Sequence, residues 1–176
     1  MSGLAGTWPL VRLALRLDRA RLAAWVGALL LVVVATAIGF GELYPDAASR
    51  RQLAAGIGSN PALLAMYGRL EAESVGGLTV WRQGAFQLVL VALMSLLTVV
   101  RHTRAAEETG RIELVGAAAI GRRAPLAAAV GTASLGSTAI GLTVAVGMVA
   151  VGQDAAGSIA FGAALAATGW AFAGVA

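Results

Sequence analysis

An all-α polytopic membrane protein, an N-terminal interfacial amphipathic helix followed by four transmembrane helices, is the architecture these 176 residues call for. Three observations lead there. Leu22 to Gly41 and Gln83 to Val100 are uncharged, and charge is again absent from Ala124 to Gly152 and from Ala155 to Ala176. A hydrocarbon core about 30 Å thick needs roughly 20 apolar helical residues, so each run can cross it, the second with modest tilt or help from its flanks. Hydrophobic residues make up 59% of the chain and charged ones only 12%, with a mean hydropathy of +0.81, outside the usual range of water-soluble domains.

The elements follow in chain order. Residues 1–21 read as the interfacial helix. Thr7 is the expected cap and Pro9 sits in the first turn, where a missing N–H costs nothing. Arg12, Arg16 and Arg19 then fall on one face and Leu10, Leu13 and Leu17 on another, with Trp8 and Trp25 as interface anchors. Residues 22–41 form the first span. Ala35-Thr36-Ala37 resembles the small-residue cleavage site of a signal peptide, but three further spans favour an uncleaved helix.

Residues 42–82 are expected outside the membrane as short helices. Asp46 caps the first, which Gly56 and Gly58 stop; Asn60-Pro61 starts the second, which Gly68 ends. Residues 83–100 are the second span, 101–123 a charged loop, 124–152 the third span, 153–154 a turn and 155–176 the fourth span. Along the third, the small residues Ala127, Gly131, Ser134, Thr138, Gly141 and Ala145 trace a face suited to close helix contact. Helices this smooth expect neighbours in a larger assembly.

Arginine sets the orientation. Nine arginines flank the N-terminal segment and the 101–123 loop, against four in the 42–82 segment, which predicts that the N-terminus and the loop are cytoplasmic.

Chemistry is sparse. With no cysteine, thiol catalysis and disulfides are excluded, and with no lysine a P-loop ATPase or a pyridoxal enzyme is excluded too. No metal site and no cofactor are expected, because one histidine and scattered carboxylates offer too few ligands. Gly131 to Gly136 lacks the glycine that a nucleophile elbow needs two residues before Ser134, so a serine hydrolase is not the reading. Thr36, Gln87, Ser95, Ser134, Thr138 and the other polar groups of the spans are of the kind that joins helices. His102, beside Arg101 and Arg104, reads as an interfacial polar residue.

The densest polar pattern is Arg101 to Leu114. As helix it pairs Arg104 with Glu107 and Glu108, and Glu107 with Arg111, with a bend at Gly110. Together with Gly121-Arg122-Arg123-Ala124-Pro125, this run resembles the cytoplasmic loop of ABC-2 type exporter permeases, nearest to the actinobacterial drug and polyketide exporters of the tetronasin-resistance kind. Asn60 to Gly68, Val75 to Arg82 and Leu10 to Trp25 resemble the same family. The resemblance implies a non-enzymatic permease subunit in a bacterial plasma membrane, moving amphiphilic small molecules and driven by a separate ATP-binding subunit. No nucleic-acid partner is implied. It assigns ATPase coupling to Glu107, Glu108, Gly110, Arg111, Glu113 and Leu114, with Arg111 and Glu113 supplying charge and Leu114 an apolar anchor. Members of that family are far longer, so the chain reads as the N-terminal portion of one. The alternative is a small membrane interaction or scaffold protein, or a permease fragment, without transport activity.

Overall fold

The computed structural model describes residues 3–108, 121 and 123–176, with the backbone alone at 105–108, and six helices account for these described residues. They are α1 (Thr7–Leu43), α2 (Ala47–Gly58), α3 (Pro61–Tyr67), α4 (Val75–Glu108), α5 (Ala124–Ala150) and α6 (Ala155–Val175). Four of them, α1, α4, α5 and α6, are long and apolar enough to cross a membrane. No strand occurs among the described residues. The chain is a multi-pass membrane protein.

The amphipathic N-terminal stretch and the first apolar run form one rod of 37 residues, about 55 Å long at 1.5 Å per residue. That is well beyond the hydrocarbon thickness, so the basic third of α1 projects past the apolar run. At 34 residues α4 is also overlong, and its Arg101–Arg104 end projects on the same side. Thr7 does not cap α1. Gly6, at φ 85°, takes the cap position, and the Thr7 hydroxyl donates backward to the Leu4 carbonyl at 2.8 Å.

Helices α2 and α3 start where their cap residues dictate, while α2 runs through Gly56 to Gly58. Asp46 accepts the Ser49 N–H at 2.8 Å, and this bond chiefly holds its carboxyl below the ordinary carboxylate range. That contribution to α2 is present above the unfolded carboxylate's range and fades as pH falls through the lowered value. Asn60 accepts from Ala62 and Leu63, and Gly68 leaves α3 at φ 76°, a conformation favouring glycine. The hairpin is tied to α4 by the Trp81 indole donating to the Gly68 carbonyl at 2.9 Å and by Arg82, which bonds the Tyr67 hydroxyl.

Inside the bundle α5 packs most extensively on α6 and then on α1, while α4 touches all three. Leu29 and Val33 of α1, Val91 and Met94 of α4, Ile140 and Val144 of α5, and Phe161 and Leu165 of α6 interlock as one core. In lipid the tails are as apolar as these side chains, so close packing and interhelical hydrogen bonds hold such helices together. At the α5–α6 crossing, Gly141 and Gly162 approach backbone to backbone, and a Cβ on either would overlap the other's carbonyl oxygen.

Of the small-residue stripe expected on the third span, Gly141 and Ala145 are buried and make the close contact with α6, while its first four residues sit beside the most buried face. Thr132, Ala133, Gly136, Ser137, Ile140 and Val144 of α5 are buried, whereas Ala127, Gly131, Ser134 and Thr138 are half-buried. So small a helix offers contact on nearly every side, and the neighbours' large residues select the face. The half-buried flank still finds partners: the Trp170 indole donates to the Ser134 carbonyl at 3.2 Å and the Thr138 hydroxyl at 3.1 Å.

Two polar seams cross the interior. Ser95 of α4 and Ser137 of α5 share a hydrogen bond at 2.9 Å beneath Gly169 of α6, where a Cβ would collide with Ser137. Gln87 is 0% exposed; its amide donates to the Leu29 carbonyl at 3.3 Å and its Oε1 has no partner. A buried acceptor without a donor costs about 1–3 kcal/mol, offsetting what the amide's single bond contributes. Gln87→Leu is therefore expected to change bundle stability by no more than about 1 kcal/mol, as read from thermal unfolding in detergent.

Candidate functional site

A buried cluster of charged side chains lies at one end of the bundle, where α1 starts, α4 finishes, α5 starts and α6 finishes. Asp18 sits on the inward face of α1 with Val11 and Ala14, and is 3% exposed. His102, on α4, places Nε2 2.6 Å from Asp18 Oδ2. A carboxylate only accepts, so the imidazole nitrogen carries the hydrogen. Arg101 brings Nη1 to 3.1 Å from Oδ1, and Arg21, one turn along α1, reaches 3.7 Å from the same oxygen. Oδ1 has these ion-pair neighbours but no hydrogen bond of good geometry. One buried carboxylate thus gathers three basic side chains from two helices. Both helices leave their apolar runs here, so the arginines keep part of their surface outside the bundle while the carboxylate is enclosed.

A second link lies beside it. The Gly121 N–H donates to the Ala5 carbonyl at 2.9 Å and the Arg123 N–H to the Gly3 carbonyl at 3.0 Å. The segment before α1 therefore meets the segment before α5 through its backbone. A side chain at Gly121 would overlap the Gly3 carbonyl, which explains a glycine there. The N-terminal segment and both feet of the 101–123 loop share one end of the bundle. The α2–α3 hairpin occupies the other, where Gly76 of α4 lies against Gln153 in the turn between α5 and α6.

Of the residues assigned to partner docking, Glu107 and Glu108 lie in the last turn of α4. Gly110, Arg111, Glu113 and Leu114 fall outside the described residues, as do the side chains of Glu107 and Glu108. The expected bend at Gly110 and the Arg104–Glu107 and Glu107–Arg111 pairs fall there too. His102, read from sequence as a lone interfacial residue, is instead engaged with Asp18. A signal for this existed: Asp18 precedes the first apolar run by four residues and Arg101-His102 follows the second directly. Antiparallel helices bring those positions to one level.

Arg12, Arg16 and Arg19 are exposed on α1, and the Arg12 guanidinium lies 5.3 Å from the centre of the Trp8 ring. Leu13 and Leu17 are also exposed, beside them. This mixed face, indole and leucines next to arginines, suits the boundary between lipid tails and headgroups. At the opposite end a cavity of about 500 Å³ lies between α2 and α3, lined by Ile57, Leu64 and Leu70 with Arg51, Arg69 and Glu73. Arg51 and Glu73 approach to 3.7 Å across it, both well exposed, so the pair adds little to stability.

No family model matches the chain. A multidrug efflux system permease protein of Mycobacterium tuberculosis is 43% identical to it over 176 residues, a match that covers 99% of this chain and 32% of the relative. The chain therefore spans about a third of the length of that curated relative, and over that span it is similar to an efflux permease from end to end.

Proposed function

We propose that the chain serves in the permease of an ATP-driven exporter of the ABC-2 type that moves amphiphilic drugs or polyketides out of the cell. The observation that carries this reading is the 43% identity, over essentially the whole chain, to a multidrug efflux permease. Energy comes from a separate ATP-binding subunit, as the resemblance of the 101–123 loop to the cytoplasmic loop of ABC-2 type permeases implies. That subunit docks on the 101–123 loop, with Glu107, Glu108, Gly110, Arg111, Glu113 and Leu114 as its contacts. Arginine asymmetry supports an N-terminus and a loop on the cytoplasmic side of a bacterial plasma membrane. Closure of the ATPase reaches the spans as a rigid-body displacement of helices. Uncharged spans suit an amphiphile that enters from lipid.

The test is transport. Inside-out membrane vesicles containing the chain and its ATP-binding subunit are expected to accumulate a fluorescent amphiphile when ATP is supplied. Accumulation that is the same with ATP, without it, and in vesicles lacking the chain would contradict the proposal.

A further inference from the structure

Both feet of the 101–123 loop are fastened to the same N-terminal stretch, by different chemistry. At the α4 foot the fastening is Asp18, bonded to His102 at 2.6 Å and paired with Arg101 at 3.1 Å. At the α5 foot it is backbone, the Gly121 and Arg123 N–H groups on the Ala5 and Gly3 carbonyls. Helix packing does not require the first of these. Position 18 continues the inward row of Val11 and Ala14, where an apolar side chain would pack without taking a carboxylate out of water. A buried anion held by one histidine and two arginines is weak as a source of stability but strongly directional, since it fixes one helix register against another.

We propose that Asp18 is a positioning residue that locks the α4 foot of the loop to the first helix. A displacement imposed on the loop is then carried into α1 as a unit rather than absorbed by bending of α4. The proposal rests on the reading that a partner docks on this loop, and it adds where the displacement goes. Without the clamp the partner still binds, but its movement reaches α1 only through the backbone fastening at the α5 foot.

The protein contains no cysteine, so two introduced cysteines report alone. Spin labels at Leu17→Cys and Arg104→Cys, both exposed positions, are expected to give one narrow distance in the otherwise unaltered chain in lipid nanodiscs. Asp18→Asn is expected to broaden it, and His102→Gln to broaden it partly, because Arg101 still neutralises the carboxylate. In the complex with the ATP-binding subunit, Asp18→Asn should leave the affinity between subunits unchanged. Its transport turnover should fall roughly tenfold, within the range of ordinary coupling free energies. The reversed pair, Asp18→His with His102→Asp, should recover part of both the distance and the turnover, which a merely structural role would not produce. A narrow distance in both Asp18→Asn and His102→Gln would overturn the clamp, and so would a broadened distance with full turnover. If Asp18→Asn does not insert, His102→Gln decides by the same criteria. Failure to find any ATP-binding subunit would instead overturn the exporter reading, and the spin-label distances would still decide whether Asp18 fixes the foot.

Discussion

Gly162→Ala is expected to lower the stability of the bundle by about 2 kcal/mol, in the range of overpacked cores. A midpoint roughly 5 °C lower follows for a chain of this size. The cause is local. The added methyl would overlap the Gly141 carbonyl oxygen and press on the Ala145 Cβ, and α5 cannot yield without moving its own backbone. A flexible side chain could swing aside; a helical carbonyl cannot. Gly141→Ala meets the Gly162 carbonyl and should cost a similar amount. Because one relaxation serves both, the double variant should cost less than the sum. Gly174→Ala, in the same helix with open space around it, should show no loss. Equal midpoints for Gly162→Ala and Gly174→Ala, measured in detergent, would mean that α5 and α6 do not cross as closely as described.

Arg111→Ala combined with Glu113→Ala is expected to abolish capture of the ATP-binding subunit while leaving the spans folded. If each side chain anchors the contact, each removal costs about 2 kcal/mol or more of binding, and the pair together about a thousandfold in affinity. The substitutions lie outside the apolar runs, so the thermal midpoint should not change. Unaltered capture by the double variant would remove these two residues from the docking surface. Leu114→Ala would then test whether an apolar anchor carries the contact instead.

Much of the fold was legible because a bilayer constrains sequence more strongly than water does. Runs such as Leu22 to Gly41 announce spans by composition, and the caps at Asp46 and Asn60 and the stop at Gly68 depend on side chains within three residues of the feature they make. What was not legible depended on packing between helices. Thr7 lost the cap to Gly6 because backbone conformation, not side-chain type, decided the turn. The small stripe on α5 revealed its buried face only at Gly141 and Ala145, since its neighbours' large residues, Leu29, Met94 and Phe161, choose the rest. Asp18 and His102 are 84 residues apart, and each alone looks like an ordinary flank charge. Only the antiparallel course of α1 and α4 makes them partners. For the middle of the 101–123 loop only the sequence speaks, because Arg111, Glu113 and Leu114 fall outside the described residues.

One measurement bears most directly on the central claim: affinity purification of the tagged chain from its native membranes, with every co-purifying protein identified by mass spectrometry. An ATP-binding subunit with Walker motifs, recovered in stoichiometric amount and lost from the Arg111→Ala, Glu113→Ala variant, is the expected result. An intact, folded chain recovered repeatedly without any such subunit would contradict the account and leave a membrane protein that moves nothing.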